Sequence, residues 1–267
     1  MTPHPGFPIT ARESGGQFVE AFARGLLVIM AFGEGHERMT LSQVAQRTGL
    51  TRAGARRLLF TLEQLGFVGR RERQFFLTPK ILRLGYAYTS SSPFWGYAQP
   101  ILEKLVGDVQ ETCTLAVLDG TEIVYVIRNS VRAIVSGGSV VGTRLPAYVT
   151  SMGRVLLGGL GERDLADYFE RSKLEKHTER TLTDPAELAR EIARVREQGW
   201  SWIHGELEEH ICGLSVPVAD HEGRVCAALN ISVNSLRMTK EIALDTMLPR
   251  LVVAAEQLHR GLQLRAG

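Results

Sequence analysis

The sequence predicts an α+β protein of two domains: a small helical domain that ends in a β-hairpin, and a larger domain built on an antiparallel sheet. Three observations support this fold class. Residues 39–79 hold two helical patterns followed by two short strand patterns, whereas residues 93–267 alternate strands with helices. A polar run at residues 89–93 separates the two parts, and 267 residues are enough for two hydrophobic cores.

The chain opens on a Pro- and Gly-rich segment, residues 1–16, that lacks the apolar core of a signal peptide. We expect this segment to be a disordered tail. The first helix is predicted over residues 17–32, where Phe18, Phe22 and Leu26 share one face. That face is wide for so short a helix, so it packs into the domain core, against a second copy of the chain, or both.

Two further helices are predicted between residues 39 and 65. Thr40 and Gln43 have the spacing of a capping box at the start of the first, and Thr51 can cap the second. The second helix carries an apolar stripe at i, i+3, i+4, i+7 spacing, which must face a core; its members are Ala55, Leu58, Leu59, Leu62 and Leu65. Such a pair of helices, the second cationic in its N-terminal half, is typical of a helix-turn-helix that reads the DNA major groove.

A short hairpin with a basic tip follows the second helix. Phe67–Val68 and Phe75–Leu77 can pair around the tip Arg70–Gln74, which makes a winged helix-turn-helix. Wing arginines would contact phosphates or enter the minor groove, where they contribute affinity and register rather than sequence choice. A surface hairpin with solvated arginines is the alternative, but it does not explain the ordered caps, stripe, turn and wing. The predicted DNA-binding residues are Ser42, Gln43, Thr51, Arg52, Ala53, Arg56, Arg57, Arg70, Arg71 and Arg73.

The charge distribution agrees with this interpretation. Residues 1–90 contain twelve Lys and Arg against six Asp and Glu, a net charge of +6, whereas the whole chain carries +2. The remaining residues are therefore acidic overall. A basic N-terminal third suggests a nucleic-acid module joined to a domain that does not touch nucleic acid.

A linker helix is predicted after the wing, with Ile81, Leu84 and Tyr88 on one side, followed by the hinge-like run Thr89–Pro93. We place a winged DNA-binding domain at 17–79, the linker helix at 80–92 and a second domain at 93–267.

The second domain is predicted as an antiparallel sheet with helices on its faces, an architecture typical of a sensor. In chain order we expect a helix at 97–109, strands at 113–118, 123–128 and 134–141, a loop at 145–154 that leads into a helix at 155–160, helices at 162–170 and 184–198, strands at 200–204, 214–219 and 224–233, and one long helix at 240–264.

Several classes of protein are disfavoured by the composition. No apolar run reaches the roughly 18 residues that a membrane span needs. Cys113, Cys212 and Cys226 are far apart and odd in number, which favours reduced thiols in the cytoplasm. Neither zinc-ligand spacing nor a Gly-x-Ser-x-Gly, HExxH or P-loop motif occurs, so we expect no metal, no cofactor and no catalytic residue. A titratable cluster at residues 204–210 is interpreted as a solvated loop.

Four segments resemble the IclR family of bacterial transcription regulators over nearly the full chain: FARGLLVIMAFG at 22–33, the winged domain, RLPAYVTSMGRVLL at 144–157, and GLSVPVADHEGRVCAALNIS at 213–232. Within the family, the chain is most similar to regulators of protocatechuate and 4-hydroxybenzoate catabolism, the β-ketoadipate pathway. The resemblance implies a winged helix-turn-helix, a linker helix and a GAF-like effector-binding domain. It also implies a homodimer or homotetramer on palindromic double-stranded DNA operators.

The resemblance further implies an effector pocket, and the residue types favour a small organic acid, which we expect to be aromatic. A helix start attracts a carboxylate, and so do the arginines that surround the region, Arg128, Arg132, Arg144 and Arg154. The predicted effector-binding residues are Thr150, Ser151, Met152, His204, Ile211, Gly213, Asn230, Ser232, Arg144 and Arg154. Ser151 could instead only cap its helix, and Asn230 could only close a strand end. Relatives carry an acid near His204 and an Arg-Ser pair near Cys212–Gly213, which bears on the choice of effector.

The sequence therefore predicts a ligand-responsive regulator of a catabolic operon. One alternative is a small-molecule enzyme whose winged domain serves only for association. Another is an architectural DNA-binding protein, which leaves the second domain without a role.

Overall fold

The computed structural model describes residues 18–91, 93–130 and 141–263. The predicted tail at 1–16 and all but the last residue of the predicted strand at 134–141 lie outside these ranges. The chain divides into two compact units between Tyr88 and Thr89, and each is described by itself.

The first unit is a three-helix domain with a β-wing. Its elements are α1 (Glu20–Met30), β1 (Met39–Thr40), α2 (Leu41–Thr48), α3 (Arg52–Gln64), β2 (Val68–Arg71) and β3 (Gln74–Leu77). The strands pair antiparallel in the order β1-β3-β2. Val28, Val44, Leu59 and Phe75 form the centre of one core that joins the three helices to the wing.

Local capping explains where the helices of this unit begin and end. The Thr40 hydroxyl accepts from the Gln43 backbone N–H at 3.4 Å, and the Gln43 side chain accepts from the Thr40 N–H at 2.8 Å. Gly49 ends α2 at φ +68°, a left-handed conformation that glycine adopts without strain. Thr51 then caps α3 by accepting from the Gly54 N–H at 3.1 Å. The capping prediction is confirmed. The stripe prediction is wrong at Leu65, which follows the last turn of α3 and is 52% exposed.

A 3₁₀ turn at Pro79–Ile81 leads into α4 (Leu82–Ser91). The predicted hinge is wrong for residues 89–91, because they continue α4. Ser and Thr cost little in a helix, and the next helix-breaking residue is Pro93. The domain bounds 17–79, 80–92 and 93–267 stay predictions.

The second unit is an α+β domain built on an antiparallel sheet. Within the described residues the strand order is β6-β5-β4-β9-β8-β7. The elements are α5 (Pro93–Val109), β4 (Thr112–Asp119), β5 (Glu122–Asn129), β6 (Arg144–Pro146), a 3₁₀ turn at Ala147–Val149, α6 (Ser151–Gly158), α7 (Glu162–Arg171), α8 (Pro185–Gln198), β7 (Ser201–His204), β8 (Ile211–Ala219), β9 (Val225–Asn234), α9 (Lys240–Thr246) and α10 (Leu248–Gln263).

The two faces of the large sheet are covered differently. Leu229 and Ile231 of β9 lie in the core shared with α5 and α10. Ala228 lies in the core shared with α6 and α8. Because side chains alternate along a strand, Asn230 shares the α6 face with Ala228. The polar residues of β9 are therefore directed toward α6.

Two element predictions in this unit are wrong. α6 begins at Ser151 rather than 155, and residues 144–146 form the edge strand β6 instead of a loop. The predicted C-terminal helix is two helices, α9 and α10. Pro249 falls at the first turn of α10, where its missing N–H is tolerated, and it disfavours a continuous helix from α9 into α10. No helix among the described residues is long and apolar enough to cross a membrane.

Candidate nucleic-acid interface and ligand cavity

One side of α3 is cationic and open to solvent. Ala55, Leu59 and Leu62 are buried in the core, which leaves Arg52 and Arg56 on the outside. In the described part of the chain, no carboxylate lies within 4.0 Å of either guanidinium. Ala53 and Arg57 are also exposed, and Arg57 borders a groove on the α1 side of the helix. The exposed face of α3 therefore carries cations that have no carboxylate partner among the described residues, and this face is open to a DNA groove.

The wing adds further cations beside α3. Its strands extend to Arg71 and Gln74, so the tip is Glu72-Arg73, shorter than the predicted Arg70–Gln74. Glu72 adopts φ +56°, which lets the chain reverse in two residues. Arg71 and Arg73 are exposed, and among the described residues neither has a carboxylate within 4.0 Å. Arg70 differs, since its Nε lies 3.3 Å from Glu63 Oε1.

The residues predicted on α2 and at the cap are not equivalent. Ser42 is exposed at the start of α2. The Gln43 side-chain oxygen already accepts from the Thr40 N–H at 2.8 Å and from the Thr40 hydroxyl at 2.9 Å. The Thr51 hydroxyl oxygen accepts from the Gly54 N–H in the α3 cap, and its O–H can still donate. Of the Gln43 side chain, the amide N–H₂ remains for another partner.

An apolar groove of about 720 Å³ lies on the opposite side of α3, between it and α1. Phe22, Leu58, Leu65 and Leu84 line it. Phe22 is 69% exposed, which is unusual for so large an apolar side chain in a first helix. The apolar face predicted for the first helix is therefore only partly used by the core of this unit.

A polar cavity of about 400 Å³ lies in the second unit between the start of α6 and the sheet. It combines apolar walls with hydroxyl, amide and charged groups. The lining residues that enter the argument below are Tyr125, Arg128, Thr150, Ser151, Met152, Ile203, Leu207, Glu208, Ile211, Gly213, Asn230, Ser232 and Arg237.

The start of α6 is fixed by backbone geometry. The Thr150 hydroxyl caps α6 by accepting from the Gly153 N–H at 3.0 Å. A Cβ at Gly153 would lie 1.9 Å from the carbonyl oxygen of Ala147, so only glycine allows this turn to approach the helix. Thr150, rather than Ser151, therefore caps the N-terminus of α6, and the Ser151 side chain is directed toward the sheet.

Buried hydroxyl and amide groups meet at the floor of the cavity. Ser151 Oγ lies 2.8 Å from Ser215 Oγ, and Asn230 Nδ2 donates to Ser151 Oγ at 3.1 Å and to Ser215 Oγ at 3.0 Å. Ser232 donates to Asn230 Oδ1 at 2.8 Å. A Cβ at Gly213 would lie 2.4 Å from Ser151 Oγ, so the absence of a side chain there makes room for the network.

One buried hydroxyl beside this network has no partner. Thr114 on β4 pairs in register with Asn230, is fully buried, and its Oγ1 makes no hydrogen bond within the described residues. An unpaired buried hydroxyl costs free energy, so such groups are few. Thr114 therefore has hydrogen-bonding capacity that the described residues do not use.

The charged groups around the cavity are partly neutralised. Arg237 pairs with Glu111 at 3.1 Å. Arg128 lies over the Tyr125 ring, with 5.9 Å from the guanidinium carbon to the ring centroid. In the described residues it has no carboxylate within 4.0 Å. Burial raises the pKa of Tyr125, so its hydroxyl stays neutral and can donate. Arg128 is thus an available cation on the cavity wall.

The structure does not bring the predicted Arg144 and Arg154 to this cavity. Arg144 lies on β6 and pairs with Glu122 at 2.7 Å and with Asp119 at 2.8 Å. Arg154 is 2% exposed; it pairs with Glu206 at 2.6 Å and donates to the Tyr148 carbonyl at 3.1 Å. Both guanidinium groups are occupied by protein acceptors. The solvated-loop interpretation is wrong for Glu206, which is buried.

His204 also lies outside the cavity, because alternation along β7 sends Ile203 into it and His204 the other way. Its Nδ1 lies 3.1 Å from Arg180 Nη1 in a separate polar cleft. Partial burial and the Arg180 charge lower the pKa of His204. Within the described ranges, no group of His, Cys, Asp and Glu side chains is placed to hold a metal ion.

Seven of the ten predicted pocket residues do converge on the cavity: Thr150, Ser151, Met152, Ile211, Gly213, Asn230 and Ser232. Sequence reasoning missed Tyr125 and Ser215, and it named Arg128 only as one of several nearby arginines. The alternation Gly213, Ser215 along β8 was a usable signal, since residues two apart share a face. The unpaired state of Arg128 was not readable from the sequence.

Comparison with known proteins assigns both units. Residues 21–72 match the IclR helix-turn-helix domain. Residues 86–260 match the bacterial transcriptional regulator IclR C-terminal domain. The chain is 40% identical over 255 residues to the Pca regulon regulatory protein of Pseudomonas putida. The match covers 95% of this chain and 88% of that protein.

Two solved structures have the same fold over nearly the whole chain. A transcriptional regulator from Rhodococcus sp. RHA1 is 43% identical, with a TM-score of 0.83, and the match covers 92% of this chain and 99% of that one. An IclR homolog from Microbacterium hydrocarbonoxydans, complexed with 4-hydroxybenzoate, is 25% identical with a TM-score of 0.79; coverage is 92% of this chain and 100% of that one.

These matches confirm the fold class and the resemblance found in the sequence. The relatives are transcription regulators, so the interpretation as a small-molecule enzyme has no support. A helix-turn-helix domain followed by a C-terminal effector domain, in that order and over nearly the full length, shows that the chain belongs to the IclR family of bacterial DNA-binding transcription regulators.

Proposed function

We propose that the chain regulates a catabolic operon in response to a small aromatic acid, which binds in the cavity of the second unit and changes the affinity of the first unit for an operator. The observation that carries this proposal is Arg128, whose guanidinium lies on the wall of a partly apolar cavity and has no carboxylate partner among the described residues. The 4-hydroxybenzoate in the complex of the Microbacterium hydrocarbonoxydans homolog supports the same ligand class.

The lining of the cavity matches the three parts of a hydroxybenzoate. The planar guanidinium of Arg128 suits a carboxylate, which it can bind through two parallel N–H groups. Met152, Ile203 and Leu207 offer apolar contact to a ring. The hydroxyl and amide groups at Ser151 and Asn230 offer hydrogen bonds at the floor. A volume of about 400 Å³ is within the range of small-molecule sites.

The ligand class is tested by thermal unfolding of the whole protein in the presence of 4-hydroxybenzoate, protocatechuate, β-ketoadipate or pyruvate. A ligand above its dissociation constant raises the Tm by mass action. We expect an aromatic acid to raise it, Arg128→Ala to abolish the rise, and Arg144→Ala to retain it. Arg144 is the matched control because it lies on the same sheet but is paired with Glu122 and Asp119. A rise that survives in Arg128→Ala, or no rise with any acid, removes the proposal.

For DNA recognition, we assign base contacts to Arg52 and Arg56 at the start of α3, and phosphate contacts to Arg71 and Arg73 of the wing. Their exposure and lack of carboxylate partners among the described residues support this assignment. An arginine that reads a guanine contributes about 1–3 kcal/mol. Arg56→Ala should weaken binding to a duplex selected by the wild-type protein from a randomised library, whereas Arg163→Ala, exposed on α7, should not. Equal affinity of both variants contradicts the assignment.

We also infer a homo-oligomer, with the groove between α1 and α3 as the contact between two DNA-binding units. Its exposed apolar residues, Phe22 above all, support a protein partner over solvent. Two copies would place their α3 helices on half-sites about one helical turn apart. Sedimentation of Phe22→Glu should show a smaller species than the wild type, while Val253→Glu on α10 should not.

We also propose that the segment at 80–92 is the linker helix between the two domains. The protein would act in the cytoplasm, where the DNA is.

The effector acts through the oligomer only if it binds one arrangement of the two DNA readers better than the other. Operator affinity measured with and without the acid should then differ. By linkage, the acid should bind with an affinity altered by the same factor when the operator is present.

A further inference from the structure

Phe60 lies on α3 where the helix meets the wing. Its ring is half-buried and meets Phe75 of β3 edge-on, with centroids 6.3 Å apart and planes at 72°. This contact to the core fixes the ring, because Phe75 is buried. The other side of the Phe60 ring is available to the surface that carries the arginines.

Two arginines from different elements lie over this one ring. The guanidinium carbon of Arg56, one turn earlier on α3, is 5.2 Å from the ring centroid. That of Arg70, on β2, is 5.4 Å from the same centroid. Arg70 is held a second time by Glu63, at 3.3 Å. The Phe60 ring therefore contacts a cation from the second turn of α3, Arg56, and a cation from the wing, Arg70.

Stacking on an aromatic face restrains a guanidinium without using its hydrogen bonds. The attraction acts through the face of the group, and the N–H donors at its edge remain free for a base or a phosphate. An arginine that is already ordered loses less side-chain entropy on binding. In the described residues, no such ring contact restrains Arg52, Arg71 or Arg73. Phe60 thus acts on a particular pair of cations.

We propose that Phe60 is a positioning residue for DNA binding, which holds Arg56 and Arg70 in the geometry they keep on the operator and so fixes the wing against the recognition helix. The proposal rests on the DNA interface assigned above and adds Arg70 to it as a further phosphate contact of the wing. Phe60 itself touches no DNA; it acts through the two arginines.

The test compares Phe60→Leu with Phe60→Tyr in the full chain, by fluorescence anisotropy on the duplex selected by the wild-type protein. Leucine keeps an apolar contact to Phe75 but has no π face, whereas tyrosine keeps both. We expect Phe60→Leu to weaken binding about five- to thirtyfold, because two arginines that exposed cation–π contacts had already ordered must then be ordered on binding. Phe60→Tyr should bind within about twofold of the wild type.

Two readouts separate positioning from damage to the core. In an Arg56→Ala/Arg70→Ala background, measured at low salt, Phe60→Leu should cause no further loss, because the groups it positions are gone. The slope of log affinity against log salt should be unchanged in Phe60→Leu, since no phosphate contact is lost, whereas Arg70→Ala should lower it by about one contact. The Tm of Phe60→Leu is recorded alongside.

Each outcome decides a separate point. The inference is overturned if Phe60→Leu binds DNA like the wild type. It is also overturned if Phe60→Leu weakens binding as much in the Arg56→Ala/Arg70→Ala background as in the wild type, because Phe60 then does not position the two arginines. If Arg56→Ala and Arg70→Ala leave affinity unchanged, the DNA interface itself is wrong. Weakening by the arginine variants without an effect of Phe60→Leu rejects only the role of Phe60.

Discussion

The two units use arginine in opposite ways. On the first unit, Arg52 and Arg56 of α3 are exposed, and in the described residues they have no carboxylate partner. In the second unit, Arg144, Arg154 and Arg237 each lie within 3.1 Å of a carboxylate oxygen. Arg128, on the cavity wall, has no carboxylate within 4.0 Å among the described residues. Other exposed arginines, such as Arg163 on α7, share that state, so an available cation marks a binding site only where it lies on the face of α3 or on the wall of the cavity.

The largest consequence of this contrast is a difference in salt dependence. Operator binding by several unpaired surface arginines releases counterions, so its affinity should fall by about a thousandfold or more between 50 and 200 mM salt. Effector binding through one arginine in a partly closed cavity should change by less than about threefold over the same range. Anisotropy titrations for the duplex and calorimetry for the acid measure the two slopes.

A shallow slope for the operator would show that the arginines of α3 and the wing contribute few phosphate contacts. An equally steep slope for the acid would show that the cavity is open to bulk ions. Either result would remove the distinction between the two units.

Ion pairs inside the second unit should differ in value by burial. Glu206→Leu leaves Arg154 buried without its carboxylate and removes the acceptor for the Leu182 N–H, so it should cost about 3 kcal/mol or more of unfolding free energy. Glu122→Leu removes one partner of the partly exposed Arg144 and should cost about 1 kcal/mol or less. Urea unfolding of the two variants gives both values.

The double variant Arg154→Met/Glu206→Leu provides the control for cavity formation. Replacing both members of a buried pair by apolar groups of similar size is often nearly neutral, so it should recover most of the loss. If it is as unstable as Glu206→Leu, the cost comes from packing around residue 206 and not from an unpaired charge.

A smaller effect is expected at the cap of the recognition helix. Thr51→Ala leaves the Gly54 N–H without its acceptor and should cost about 1 kcal/mol. Thr51→Ser retains the hydroxyl and should cost much less. The transition of the first unit in a thermal unfolding curve measures both. Equal stability of the two variants would show that solvent replaces the cap.

What could be predicted from the sequence follows the same division. On the first unit, the period of Ala55, Leu59 and Leu62 fixed the buried side of α3, and the exposed arginines followed from it. Surface position is a local property, so a local pattern is sufficient. The family resemblance added the start of α6 and the strand with Asn230 and Ser232.

The cavity arginine could not be predicted in this way. Four arginines surround the region in the sequence, and the two preferred, Arg144 and Arg154, are engaged by acids 22 and 52 residues away. Which cation remains unpaired depends on long-range contacts. His204 was predicted in the pocket but lies outside the cavity for a different reason: one step along β7 exchanges the two faces, and the resemblance did not fix the register.

The position of His204 gives the smallest expected effect, a pH dependence of stability. Arg180 Nη1 lies 3.1 Å from His204 Nδ1, so the neutral ring accepts from Arg180, whereas the protonated ring would face a second cation. Partial burial of the ring and the Arg180 charge therefore hold the folded-state pKa of His204 below 6.5, the unperturbed value. Between the two values the unfolded chain binds the proton more readily. The contribution of His204 is present above pH 6.5 and is lost as the pH falls toward the folded-state pKa.

His204→Gln retains an acceptor for Arg180 but does not titrate. The difference in Tm between wild type and His204→Gln should therefore shift against the wild type as the pH falls below 6.5. The effector-induced rise in Tm should be the same in His204→Gln, because the ring lies in the cleft with Arg180 and not in the cavity with Arg128. A loss of that rise would indicate that His204 belongs to the effector site and that the effector binds in the polar cleft.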